Sequence, residues 1–129
     1  MTKLIASTPF LNVSIKVRPG STQGSYKVET APKKICVTQS DSVINYQIVD
    51  TGEYEISFNK KNPMTVLPAI NDQLSLPSVS VSGKILTLND ANSSKMNLAI
   101  TLNFVDEAGV EFSHDPEVEN DPEGVTSTL

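Results

Sequence analysis

Two Asp-Pro pairs, Asp115-Pro116 and Asp121-Pro122, fall within eight residues near the end of a 129-residue chain. With seven Asp and eight Pro in the whole sequence, chance predicts fewer than one such pair. The Asp-Pro bond is the ordinary peptide bond most open to attack by its own side chain. The Asp carboxylate can add to its main-chain carbonyl and close a five-membered anhydride, and the prolyl nitrogen departs once protonated. An intramolecular nucleophile of this kind works at effective molarities on the order of 10⁵–10⁸ M when its geometry is right. The same stretch holds the only histidine, His114, and further carboxylates at Glu111, Glu117 and Glu119. Carboxylates this crowded resist full ionisation, and a carboxyl that keeps its proton can pass it to the leaving nitrogen. A developing oxyanion also needs donors, for which Tyr26, Lys27, Lys95 and His114 are the polar candidates.

Other chemistries lack their residues. A blue-copper site needs two His and one Cys, and the chain has one of each. A zinc set is missing for the same reason, and the acidic stretch lacks calcium-loop spacing. Asp115, Glu117, Glu119 and Asp121 offer at most a loose calcium site. There is no Gly-x-Ser-x-Gly elbow and no glycine-rich phosphate loop, so no cofactor is expected. Cys36, between Ile35 and Val37, is expected to be a buried inert thiol. His114 follows Val110 and Phe112 at alternate positions, which favours a structural role for it on the residues alone.

The chain is long enough for one domain with its own core. Its formal charge of −5 is unevenly spread: residues 1–105 carry +3, and the segment from Asp106 onward carries −8 with no Lys or Arg. No basic stripe interleaved with aromatics exists, which argues against nucleic acid. A lone cysteine fits a reducing compartment. The apolar run at Met1–Pro9 is too short for a signal sequence, and there is no eighteen-residue apolar stretch to predict a membrane span. The expected setting is cytoplasmic.

These residues must be positioned by strands, since period-two alternation recurs and helical periodicity is nearly absent. Leu11, Val13, Ile15 and Val17 mark a strand stopped at Pro19-Gly20; Tyr26–Glu29, Ile35–Val37 and Val43–Val49 follow. Asp50-Thr51-Gly52 predicts a hairpin turn joining Val43–Val49 to Tyr54–Phe58. Asn59–Pro77, with three prolines, reads as loop or edge. A second hairpin turns at Ser82-Gly83, and Asn89–Lys95 is a loop or a single helical turn. Met96–Phe104 and Val110–Ser113 are joined by a turn at Asp106–Gly109. Eight or nine short strands predict an all-β, antiparallel β-sandwich or open β-barrel over residues 1–114. Residues 115–129 are expected to form an acidic Asp-Pro tail.

The run Phe112-Ser113-His114-Asp115-Pro116-Glu117-Val118-Glu119-Asn120-Asp121-Pro122-Glu123 resembles the signature of the DP-EP family of small bacterial proteins. The chain length, the all-β pattern and the start at Pro9-Phe10-Leu11-Asn12-Val13 are also similar. The resemblance implies a β-sandwich or barrel-like homodimer, part of whose family cuts itself at an Asp-Pro bond as a single-domain aspartic peptidase. Carried onto this chain, it makes Asp115 the nucleophile and Pro116 the leaving nitrogen, with Ser113 and His114 shaping the turn. Tyr26 and Lys95 become contacts across the site. Asp121-Pro122 matches the second half of the signature but lies farther from the last strand. The competing expectations are a non-enzymatic binding module whose acidic tail engages a basic partner, and a small-ligand pocket in the barrel or dimer interface.

Overall fold

The computed structural model describes residues 8–123. Eleven strands and no helix are found among them: β1 (Phe10–Pro19), β2 (Tyr26–Ala31), β3 (Lys34–Val37), β4 (Ser42–Asp50), β5 (Ile56–Phe58), β6 (Met64–Leu67), β7 (Ser78–Val79), β8 (Ile85–Asp90), β9 (Met96–Asp106), β10 (Glu111–His114) and β11 (Glu117–Asn120). They form two facing sheets. The first has the order β2-β1-β4-β8-β7. The second is built on β9, the longest strand. β10 and β11 lie end to end along one side of β9, and β5 and β6 lie end to end along the other. β3 closes the second sheet beside β11.

Alternation explains the core. β1 buries Val13, Ile15 and Val17, β4 buries Ile44, Tyr46 and Ile48, and β9 buries Leu98, Ile100, Leu102 and Phe104. Each such side chain stabilises the fold by roughly 1.5–3 kcal/mol. Aromatic rings continue the core to one end of the sandwich: Phe58 and Phe112 flank Phe104 at 5.2 and 5.3 Å, and Tyr26 stacks on Phe112 at 4.4 Å.

The all-β sandwich agrees with the sequence, but three features of its wiring do not. The sheets are mixed, with β1 parallel to β4 and β3 parallel to β11. Alternation reports which face a residue occupies and is silent on strand direction. Asp50-Thr51-Gly52 does turn the chain, with Gly52 at φ 63°, yet it makes no hairpin. It hands the chain from β4 in one sheet to β5 in the other. The domain also does not end at residue 114. Glu117–Asn120 is a strand inside the second sheet, with Val118 and Asn120 almost fully buried. The acidic residues suggest a tail only because they occupy its outward face. Residues 124–129 of the expected tail lie outside the described residues.

Candidate functional site

The Asp115-Pro116 bond sits in the middle of what is nearly one strand. β10 pairs with β9 from Glu111↔Val105 to His114↔Leu102, and β11 pairs with it from Glu117↔Ala99 to Asn120↔Met96. Carrying this register across the gap puts Asp115 opposite Thr101 and Pro116 opposite Ile100. No residue is inserted; the ladder is interrupted where proline has no N–H to donate. The Pro116 carbonyl still accepts from the Ile100 N–H at 3.3 Å. Faces continue to alternate, so Phe112, His114, Pro116, Val118 and Asn120 turn inward while Ser113, Asp115, Glu117 and Glu119 turn outward. The scissile candidate therefore joins an exposed carboxylate to a buried pyrrolidine ring.

The side of Asp115 away from β9 is open, because β3 begins its pairing only at Glu117. A cleft of about 580 Å³ lies there, between the outermost strand of the first sheet and the β10–β11 junction. Lys27, Glu29 and Thr30 of β2, Lys33 and Lys34, and His114, Asp115 and Glu117 line it. Lys34 Nζ lies 3.2 Å from Glu119 and 3.9 Å from Glu117, and Glu111 accepts from Asn59 Nδ2 at 2.6 Å. The neighbouring carboxylates that the sequence crowds together thus each have a partner. Ser113 and His114 are at the site, in the last positions of β10. Lys33 and Lys34 are site residues that spacing could not reveal. They follow Pro32, eighty residues upstream, and come to the cleft beside Asp115 only because β3 docks on β11.

Tyr26 and Lys95 are placed elsewhere. The Tyr26 hydroxyl donates to Asp106 Oδ2 at 2.6 Å, five β9 positions from Thr101 and so about 17 Å along the strand. That bond, with some burial, pushes Tyr26 up to about 12 and holds Asp106 below the usual carboxylate range. Lys95 precedes Met96, which faces Asn120, about 20 Å along the ladder from Thr101. Asp50-Thr51-Gly52 has the Asp-Thr-Gly composition of bilobal aspartic proteases, and the fold uses it as a turn. Arg18 donates to both Asp50 oxygens, at 3.1 and 2.7 Å, and the Gly52 N–H adds a third bond. These bonds lower Asp50 to about 2, an ionised partner of arginine rather than one of two carboxyls sharing a proton.

Cys36 corrects the expectation of a buried thiol. Ile35 and Val37 take the inward positions of β3, so Cys36 is exposed on the outer face. There it meets Glu119 and Asp121, all three ligand atoms lying within 4.8 Å of one another. Partial desolvation, then the Glu119 and Asp121 carboxylates, raise the thiol above its ordinary value. A disulfide reagent such as DTNB is expected to label Cys36 in the native protein, more slowly at pH 8 than it labels free cysteine. Labelling seen only after unfolding would contradict this placement.

Fold and site together define a mixed-sheet β-sandwich whose penultimate and last strands are separated only by an Asp-Pro bond. The DP-EP family model matches residues 9–122, and the chain belongs to the DP-EP family. No curated protein matches the sequence.

Proposed function

We propose that the chain is a self-cleaving, aspartic-type peptidase domain that breaks its own Asp115-Pro116 bond through the Asp115 carboxylate. The supporting observation is the break in the β10–β11 strand. The two residues its ladder skips are Asp115 and Pro116, and an open cleft adjoins the exposed carboxylate. Asp115 adds to its own main-chain carbonyl, the bond to Pro116 N breaks, and the prolyl nitrogen takes a proton. Water then opens the anhydride, restoring the Asp115 side chain and leaving a free α-carboxyl. His114, which lines the same cleft, would relay that proton, and Lys33 and Lys34 would supply positive charge for the developing oxyanion. A lone Cys36 on the surface suits a reducing, cytoplasmic setting. The test is the intact mass of freshly purified protein under denaturing conditions, repeated after days near neutral pH. Two species meeting at Asp115/Pro116 support scission; a single full-length species throughout sinks it.

The same domain is proposed to be a homodimer. Leu67, Ile70, Leu76 and Val81 are 67–96% exposed, and all lie between the last residue of β6 and the turn that follows β7. Apolar side chains this exposed favour burial against a second copy. Sedimentation velocity is expected to give twice the chain mass, and Leu76→Asp with Val81→Asp to give the monomer. A monomeric wild type at micromolar concentration would refute the pairing.

A further inference from the structure

A buried polar knot between the sheets has more acceptors left over than donors. Asp90, Asn92 and Asn120 are each at most 1% exposed. Asn120 Nδ2 donates to Asp90 Oδ1 at 2.8 Å and to Gln73 Oε1 at 3.1 Å. The Asn92 N–H donates to the same Asp90 oxygen at 3.0 Å, and Asn92 Nδ2 donates to the Val37 carbonyl at 3.0 Å. Gln73 Oε1 is further occupied by the Ser93 N–H at 2.8 Å. Left without partners are Asp90 Oδ2, Asn92 Oδ1, Asn120 Oδ1 and the Tyr46 hydroxyl. Three of these four are pure acceptors and only the Tyr46 hydroxyl can donate, so even after it does the knot is short of donors. Buried acceptors without donors are costly, and a buried unpaired charge is costlier still. One proton on Asp90 Oδ2 answers both. It removes the charge and turns an orphan acceptor into a donor beside the two amides that already bond this carboxyl.

We propose that Asp90 is a buried proton-binding site: as the neutral acid it clasps β11 through Asn120, and this makes the sheet's hold on the C-terminal strand depend on pH. Asn120 is the last residue of β11, and the Asp121 N–H that follows donates to Val37 on β3. Burial raises Asp90 above its ordinary carboxyl value, against the opposing bonds from Asn120 and Asn92. No cation faces it among the described residues. From β4 the facing groups are Tyr46, whose hydroxyl is itself raised by burial and by Asp90, and Ser42; the segment before β7 contributes Gln73. Asp72 bonds the Gln73 amide, while Cys36 and Asp121 lie together on the outer face of the second sheet. A carboxyl raised on folding binds its proton more tightly in the folded state. The clasp is therefore complete below the ordinary value of 3.8 and weakens as pH rises through the folded value.

The inference does not depend on self-cleavage, since β11 is held in the same place whether or not residue 115 remains joined to 116. The test follows the Asp90 carboxyl carbon by NMR against pH, together with hydrogen exchange at the Asp121 and Ile48 amides. Ile48, bonded to the Lys84 carbonyl at the end of β4 away from the Ser42–Asp90 pair, is the internal control. Asp90 is expected to titrate above 3.8, and Asp121 protection to fall by up to tenfold per pH unit over the same range. Ile48 should not follow, and Asp90→Asn, which imitates the neutral acid, should abolish the pH dependence at Asp121. Titration at or below 3.8 overturns the proposal, as does equal pH dependence in Asp90→Asn or Ile48 moving in step with Asp121. If Asp90→Asn does not fold, the wild-type curves decide. Carboxyl and exchange midpoints more than one pH unit apart overturn it.

Discussion

Asp115→Ala is expected to yield one species of full mass, about 13.9 kDa, where the proposed scission of the wild-type chain would yield fragments 1–115 and 116–129. Removing the carboxylate removes the intramolecular nucleophile. The lost advantage corresponds to an effective molarity on the order of 10⁵ M or more, so cleavage over days should become undetectable. Asp115→Glu separates reach from charge, since its anhydride would need a six-membered ring from a longer, freer side chain. It should be slowed strongly but less completely than the alanine variant. Stability should hardly change in either case, because Asp115 is exposed and replacements at such positions stay within about 0.5 kcal/mol. Denaturing mass spectrometry and a thermal melt, run in parallel, check both statements. Cutting at the same bond in Asp115→Ala would remove Asp115 as nucleophile.

Ending the chain after Asp115 is expected to unfold the domain, although cutting the same bond should not. β11 lies between β9 and β3 and makes a four-residue ladder with each. It inserts Val118 into the core and Asn120 into the buried knot. Burying Val118 alone contributes roughly 1.5–3 kcal/mol. Ladder bonds worth about 0.5–1.5 kcal/mol each add to that. The sum reaches the lower part of the 5–15 kcal/mol that holds a typical domain together. A chain truncated at 115 should therefore be recovered unfolded or aggregated. A cut chain should instead elute as one native species and separate into two only in denaturant. A soluble, cooperatively melting 1–115 protein would show that β11 is dispensable.

The sequence stated its face pattern plainly. Alternation at Leu11–Val17 and Met96–Phe104 predicts which side chains turn inward, and Val13, Ile15, Leu98 and Phe104 are buried accordingly. Turn residues at Asp50–Gly52, Ser82-Gly83 and Asp106–Gly109 mark where the chain bends, with Gly52, Gly83 and Gly109 at positive φ. Cys36 shows the limit of residue type as evidence. Cysteine is often buried, but in β3 the larger neighbours Ile35 and Val37 take the inward positions. Glu117–Asn120 shows the same limit over a whole element. Acidic outward positions gave it the look of a tail, while Val118 and Asn120, two residues apart, carry its burial.

By itself, then, the sequence determined the all-β class, the inward faces of β1 and β9, and the Asp-Pro bond at which chemistry is expected. These are local properties, set by side-chain alternation and by the covalent neighbour of one carboxyl. Strand partners and directions were decided only in three dimensions, because a period of two is the same for parallel and antiparallel pairing. So was the company Asp115 keeps. Lys33 and Lys34 arrive with β3, and Tyr26 and Lys95 go to opposite ends of the long central strand. So too was the charge problem at Asp90, which exists only because folding encloses its carboxyl with two asparagines and no cation.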